Sequence, residues 1–297
     1  MKKLLPLLCL AACTPETPVE DGPQEPVVVY AAFDEDPALT SLFAQYTDST
    51  GVAIINRHGD PRAIVDDVIR NDVNPPADVL MTTSAVDVWR AAEESALRPL
   101  YSDALEARVP GWARDVDDLW FATAADVAVI ASRDGEIPDT FEALGEEPVA
   151  DKLCLSSSRL EINRAVIAMM IAESGVREAE LAVRGWMQNL AQPIFASEED
   201  LAAAIAAGTC DFGILSRSVA DSSGGLEYVH PDLSVATVDA IGVGRHARNP
   251  DGAARLIEWL AYELPEIALN GPPPVDSSSA AWNDEEAQKL AERARYY

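Results

Sequence analysis

Few side chains in this sequence stand where chemistry needs them, and each also fits a plain structural role. Asp34, Glu35 and Asp36 run together after an apolar stretch. Three adjacent carboxylates can hold a cation or an amine, or can form a solvated loop that caps the helix after it. Ser156, Ser157 and Ser158 precede a helical pattern. Their backbone amides can cradle an anion, and Ser158 can equally act as a simple N-cap. Arg217 offers a forked guanidinium suited to a carboxylate or phosphate, or to a surface salt bridge. The three histidines, His58, His230 and His246, have no motif partner, and G-x-S-x-G, H-E-x-x-H and Walker sequences are all missing. Gly242-Val243-Gly244 is a lone G-x-G without the third glycine. An enzyme is therefore not expected, nor a cofactor.

These side chains need a scaffold, and the composition supports one. The chain has 297 residues, 48% hydrophobic, with 22 Lys+Arg against 50 Asp+Glu. A formal charge of -28 excludes nucleic acid and anionic headgroups as electrostatic partners. The length suggests two domains. Val27 to Ala31, Val52 to Ile55 and Asp78 to Met81 read as buried strands. Between them, Leu39, Leu42, Phe43 and Tyr46, then Ile64, Val65, Val68 and Ile69, fall at helical spacing. Val88, Trp89 and Ala92 mark the next helix. This order predicts an α/β fold with a parallel sheet covered on both faces. Further strands are expected at Val127 to Ala131, Lys152 to Leu155, Cys210 to Leu215 and Ala236 to Val243. Helices are expected from about Leu160 to Glu173, from Val176 to Leu190, from Ser197 to Gly208, after Asn249-Pro250, and from Trp282 to Tyr297.

The first residues set the compartment. Lys2 and Lys3 precede an apolar run, Leu4 to Ala12, that is too short to span a bilayer and suits a signal peptide. The segment closes on Leu10-Ala11-Ala12-Cys13, which resembles the bacterial lipoprotein box. The expectation is cleavage after residue 12 and lipidation of Cys13; the other possibility is a soluble secreted protein cut nearby. Residues 13–26 hold four prolines and four acidic residues and read as an extended tether. The membrane is then contacted through the lipid alone, on the periplasmic side of a cell envelope. In such an oxidising compartment Cys154 and Cys210 read as a disulfide, with two buried free thiols as the alternative.

Several stretches together carry a family resemblance. They are Val28-Val29-Tyr30; Pro76-Ala77-Asp78-Val79 with Trp89, Leu97 and Leu100; Lys152 to Ser158 with Asn163; Ala206-Ala207-Gly208-Thr209-Cys210-Asp211; and Gly242-Val243, His246-Ala247, Asn249, Ala253 and Leu256 to Leu260. In order and spacing the chain resembles the type II periplasmic solute-binding proteins of ABC importers, most closely the ferric-iron-binding branch. The resemblance covers about Val27 to Ile267. It implies two lobes, each a mostly parallel sheet flanked by helices, joined by two crossover strands: lobe 1 at 27–122 plus 237–297, lobe 2 at 123–236. It implies a monomer that delivers a small solute, a metal ion or its complex among the options, to ABC permease subunits. The ligand would lie between the lobes, against Tyr30, Phe33, Asp34 and Glu35, Thr83 and Ser84, Ser156, Ser157, Ser158 and Asn163, and Ser216 and Arg217, and binding would close the hinge.

The ligand set of that branch is not reproduced. Where relatives carry an adjacent tyrosine pair, this chain has Ser216-Arg217-Ser218-Val219. Asp34 stands near the usual histidine, Thr83 near the usual glutamate, and Thr123 to Asp126 contain no anion-binding arginine. Asp34 and Glu35 remain the candidates for a metal. The alternative function is a lipoprotein of the same fold acting as sensor or scaffold without transport.

Overall fold

The computed structural model describes residues 25–267 and 277–297. The expected signal peptide, Cys13 and almost all of the expected tether lie outside the described residues. The chain runs β1 (Val27–Ala32), α1 (Pro37–Thr50), β2 (Ile54–His58), α2 (Pro61–Arg70), β3 (Val79–Thr82), α3 (Ala85–Glu93), β4 (Leu97–Arg98) and α4 (Asp103–Arg108). It continues through β5 (Phe121–Ser132), β6 (Leu153–Cys154), α5 (Glu161–Ser174), α6 (Val176–Gln188), α7 (Glu198–Ala206), β7 (Phe212–Ser216) and α8 (Arg217–Ser222). It closes with β8 (Glu227–Val229), β9 (Ala236–Gly244), α9 (Pro250–Glu263) and α10 (Ser277–Ala294).

The helix starts follow local chemistry. Asp36, Asp60 and Asn249 each cap a helix with a side-chain oxygen, and each is followed by proline at the first position, where the missing N–H costs nothing. Gly51 ends α1 at φ 74°, in the left-handed region that glycine enters freely. Every residue of β1 is buried because its sheet is covered on both faces. Helix α5 is apolar nearly all round, with nine buried residues, and is packed among other elements rather than lying on the surface.

The strand order is β2-β1-β3-β9-β5-β7-β6, with β4 on β9 and β8 on β5. Strands β1, β2 and β3 pair in parallel, as do β6 and β7, but β3–β9, β5–β9 and β5–β7 are antiparallel. The antiparallel pairings all involve β5 and β9, which pass between the lobes and meet the other strands from the opposite sense. They are the two crossovers. Phe121 and Ala122 pair with Ile241 and Ala240 beside one core, and Asp126 and Val127 pair with Thr237 and Ala236 beside the other. The register shifts between Ala122 and Ala124, so the paired ribbon is irregular where it changes lobe.

Lobe 1 is built on one core cluster that includes Val29, Leu80, Trp120, Ile241 and Leu256. Lobe 2 has two clusters, one around Phe141, Ile167, Trp186 and Ile214, the other around Val129, Cys154, Leu201 and Leu215. Ala287, Leu290, Ala291, Ala294 and Tyr296 belong to the first of these. The final helix was expected with lobe 1; its apolar face lies instead against α5 and α6 in lobe 2, and the chain passes between the lobes a third time. Cys154 and Cys210 form a disulfide with sulfurs 1.99 Å apart. The short β6 sets Cys154 beside β7, and Cys210 lies just ahead of that strand.

Candidate functional site

The starts of α2 and α3 in lobe 1, after β2 and β3, face the segment that leads into α5 in lobe 2. Between them lies a cleft of about 750 Å³, lined from lobe 1 by Asp60 to Arg62 with Ser84, Val86 and Asp87, and from lobe 2 by Ser158, Arg159, Arg164 and the face of α10 that carries Asp284, Gln288 and Glu292. Much of its charge is already matched. Asp60 caps α2, Asp87 pairs with Arg90, and Arg164 pairs with Asp284 at 2.9 Å. Arg62 is largely exposed and only 4.0 Å from Asp66. Arg159 is exposed, and its side chain makes no ion pair among the described residues.

The expected site residues fall into three groups. Ser84 and Ser158 line the cleft, and Thr83 is exposed beside it. Asp34 and Glu35 are exposed on the loop before α1, where Asp36 does the capping. The remainder are engaged internally. Tyr30 is buried and its hydroxyl donates to the Pro75 carbonyl at 3.1 Å; Phe33 packs on the lobe 1 core. Ser156 accepts from Asn163 Nδ2 at 2.9 Å through its hydroxyl and from the Tyr296 hydroxyl at 2.8 Å through its carbonyl. The Ser157 amide donates to Phe195, and the Ser158 hydroxyl donates to the Tyr296 carbonyl at 2.6 Å. Ser158 is not the cap of α5; that position is Leu160, with no side-chain cap. The serine run is thus a buried seam between α5 and the end of α10.

Ser216 donates through both its amide and its hydroxyl to Glu198, and Ser218 donates to Asp126. Arg217 opens α8 with its Nε 3.9 Å from Asp221, too far for a hydrogen bond, and both Nε and Nη1 are buried without a hydrogen-bond partner among the described residues.

The sequence did not single out a set of carboxylates at the crossover ribbon, where Asp239 acts on Glu161 and Asp126 on Glu198. Ala124 pairs with Asp239 and Asp126 with Thr237, so Asp126 and Asp239 share one face of the crossover ribbon. Burial holds Asp239 above the usual carboxylate range. Burial does the same to Glu198, opposed by its hydrogen bonds from Ser216. Glu161, at the first position of α5, is pushed up to about 7, mainly by burial and against the pull of Arg164. No pattern in the sequence marks these acids, because their burial comes from the meeting of distant segments.

Residues 27–263 match the family described as bacterial extracellular solute-binding protein. Iron uptake protein A1 of Synechocystis is 24% identical over 286 residues, covering 88% of this chain and 79% of that protein. Iron uptake protein A2 of the same organism is 26% identical over 227 residues, covering 67% of this chain and 64% of that protein. Among solved structures, a Trichodesmium protein in complex with iron and citrate aligns with a TM-score of 0.78 at 22% identity, covering 92% of this chain and 100% of that one. A Bordetella ferric binding protein aligns with a TM-score of 0.78 at 21% identity, covering 92% and 99%. At these identities the structural likeness is one of fold.

Proposed function

The chain belongs to the bacterial extracellular solute-binding protein family, and on that premise we propose that it captures a small solute between its lobes and hands it to ABC permease subunits. The observation that carries this reading is the cleft itself: two separately cored lobes, joined by a crossover ribbon with an irregular register, enclose about 750 Å³. The iron-uptake relatives make a metal the first solute to test. Among the described residues no three His, Cys, Asp or Glu side chains are grouped to hold a metal ion. Ser216 and Arg217 stand where the ferric branch has tyrosines. A metal would therefore enter within its own chelator, which fills most of its coordination, and the exposed Arg159, with Arg62 only loosely paired to Asp66 at 4.0 Å, suits a chelator's carboxylates.

A thermal-shift screen of the purified protein tests this. Ferric citrate at about 100 times its dissociation constant is expected to raise Tm by roughly 5 °C, since such binding contributes about 2.7 kcal/mol. No shift with chelated iron, free Fe(III), divalent metals, carboxylates, phosphates or polyamines would count against transport. A shift with free Fe(III) alone would show that the cleft supplies the coordination itself.

The same reading places the protein at the envelope through a lipid on Cys13. Protein extracted from membranes is expected to carry the mass of a diacylglycerol group beyond a chain beginning at residue 13. An unmodified mass would remove the anchor.

A further inference from the structure

One carboxylate crosses from lobe to lobe. Glu161 of α5 accepts a hydrogen bond at 3.2 Å from the backbone N–H of Ala85, the first residue of α3, and the Ser84 side chain is its second donor. A helix leaves its first N–H groups without internal partners. Ser84 occupies the cap position of α3 but provides no side-chain cap. Lobe 2 thus supplies the cap that the lobe 1 helix lacks.

We propose that Glu161 is a tethered latch, which caps α3 from the opposite lobe and holds the lobes together. This rests on the reading of the cleft as a solute site. The contact has company on the same side, where Trp89 of α3 meets Trp282 of α10 edge to face at 5.7 Å. The groups facing Glu161 are Ser84 and Ala85 of α3, Arg164 one turn along α5, and Asp239 of β9. Arg164 is already paired with Asp284 of α10, so it only partly neutralises Glu161, while Asp239 opposes its charge.

The latch therefore carries a pH dependence. With the lobes apart the Glu161 carboxyl returns to water and to its ordinary value of 4.5; with the lobes together it stands at about 7. Closure takes up a proton between these values. It is strongest below the lower one, weakens as pH rises through the window, and is weakest above the upper one, where a charge must be buried. A neutral carboxyl still accepts from Ala85 through its carbonyl oxygen. The gap corresponds to a change in the closure constant on the order of a hundredfold.

Small-angle X-ray scattering of the solute-free protein at pH 5.5 and 8.5 tests the latch, with Glu161→Gln and Glu161→Ala beside the wild type. The wild type is expected to have a smaller radius of gyration at the lower pH. Glu161→Gln keeps the acceptor without the charge and should be compact at both; Glu161→Ala should be extended at both. One radius for all three proteins, or a glutamine variant that follows the wild-type pH profile, overturns the proposal. The thermal-shift screen reads solute binding separately. Solute binding without a latch leaves the function standing, and a latch without any solute removes the function alone.

Discussion

Asp78→Ala is expected to destabilise lobe 1 by roughly 3–5 kcal/mol, because it leaves several buried backbone donors without an acceptor at once. Asp78 is 1% exposed and lies just ahead of β3. Its Oδ2 accepts from the Val28 amide of β1 at 2.9 Å. Its Oδ1 accepts from the amides of Arg248 and Asn249, at 2.7 and 2.9 Å, where the chain enters α9. One carboxylate thus ties together three segments, with partners 50 and 171 positions away along the chain. The backbones beside it are closely packed: a Cβ on Gly244 would stand 2.1 Å from the Ala77 carbonyl oxygen. Calorimetry should show Tm lowered by about 10 °C. Asp78→Asn, which keeps one acceptor oxygen, should fall between. A loss of only a degree or two for alanine would mean that water replaces the carboxylate, and the account of Asp78 as a junction would fail.

The second large effect belongs to the disulfide. Cys154 and Cys210 are 56 residues apart in sequence. Closing a loop of that length removes unfolded-state entropy worth about 4 kcal/mol in the chain-entropy treatment. Both half-cystines are buried in lobe 2 beside Leu201 and Leu215, so a reduced form gains no new contacts in exchange. Reduction with alkylation of the unfolded chain, followed by refolding, is expected to lower Tm by roughly 10 °C. The double variant Cys154→Ala with Cys210→Ala should behave similarly without any reductant. An unchanged Tm in both would mean that the crosslink contributes nothing to stability. Loss in the reduced protein alone would trace the effect to the alkyl groups.

The alternation of strands and helices could be read directly, since apolar spacing reports which face is buried. Gly51 and Asn249-Pro250 marked real helix ends because caps are local chemistry. Strand direction was not legible in the same way. Nothing in the apolar run Ala236 to Val243 says that its neighbours run the other way; that depends on where the chain came from. The internal hydrogen bonds of the serines at 156–158 were hidden for a related reason. Ser158 is held by Tyr296, 138 positions later, and local pattern carries no sign of such a partner. Glu161 was missed because at the first turn of a helix a glutamate is ordinary, and only contact with Ala85 of the other lobe makes it unusual.

The return of α10 to lobe 2 bears on the order of events during synthesis and export. Residues 123–236 hold most of that lobe, yet its packing lacks Leu290, Ala291 and the fully buried Tyr296 until some 60 further residues have been made. Lobe 1 already has β9 and α9 by then. The earlier-numbered lobe can therefore finish folding while the other waits half-built, its α5 surface uncovered. A nascent chain emerging on the far side of the membrane would present that surface to chaperones and proteases until α10 arrives to close it.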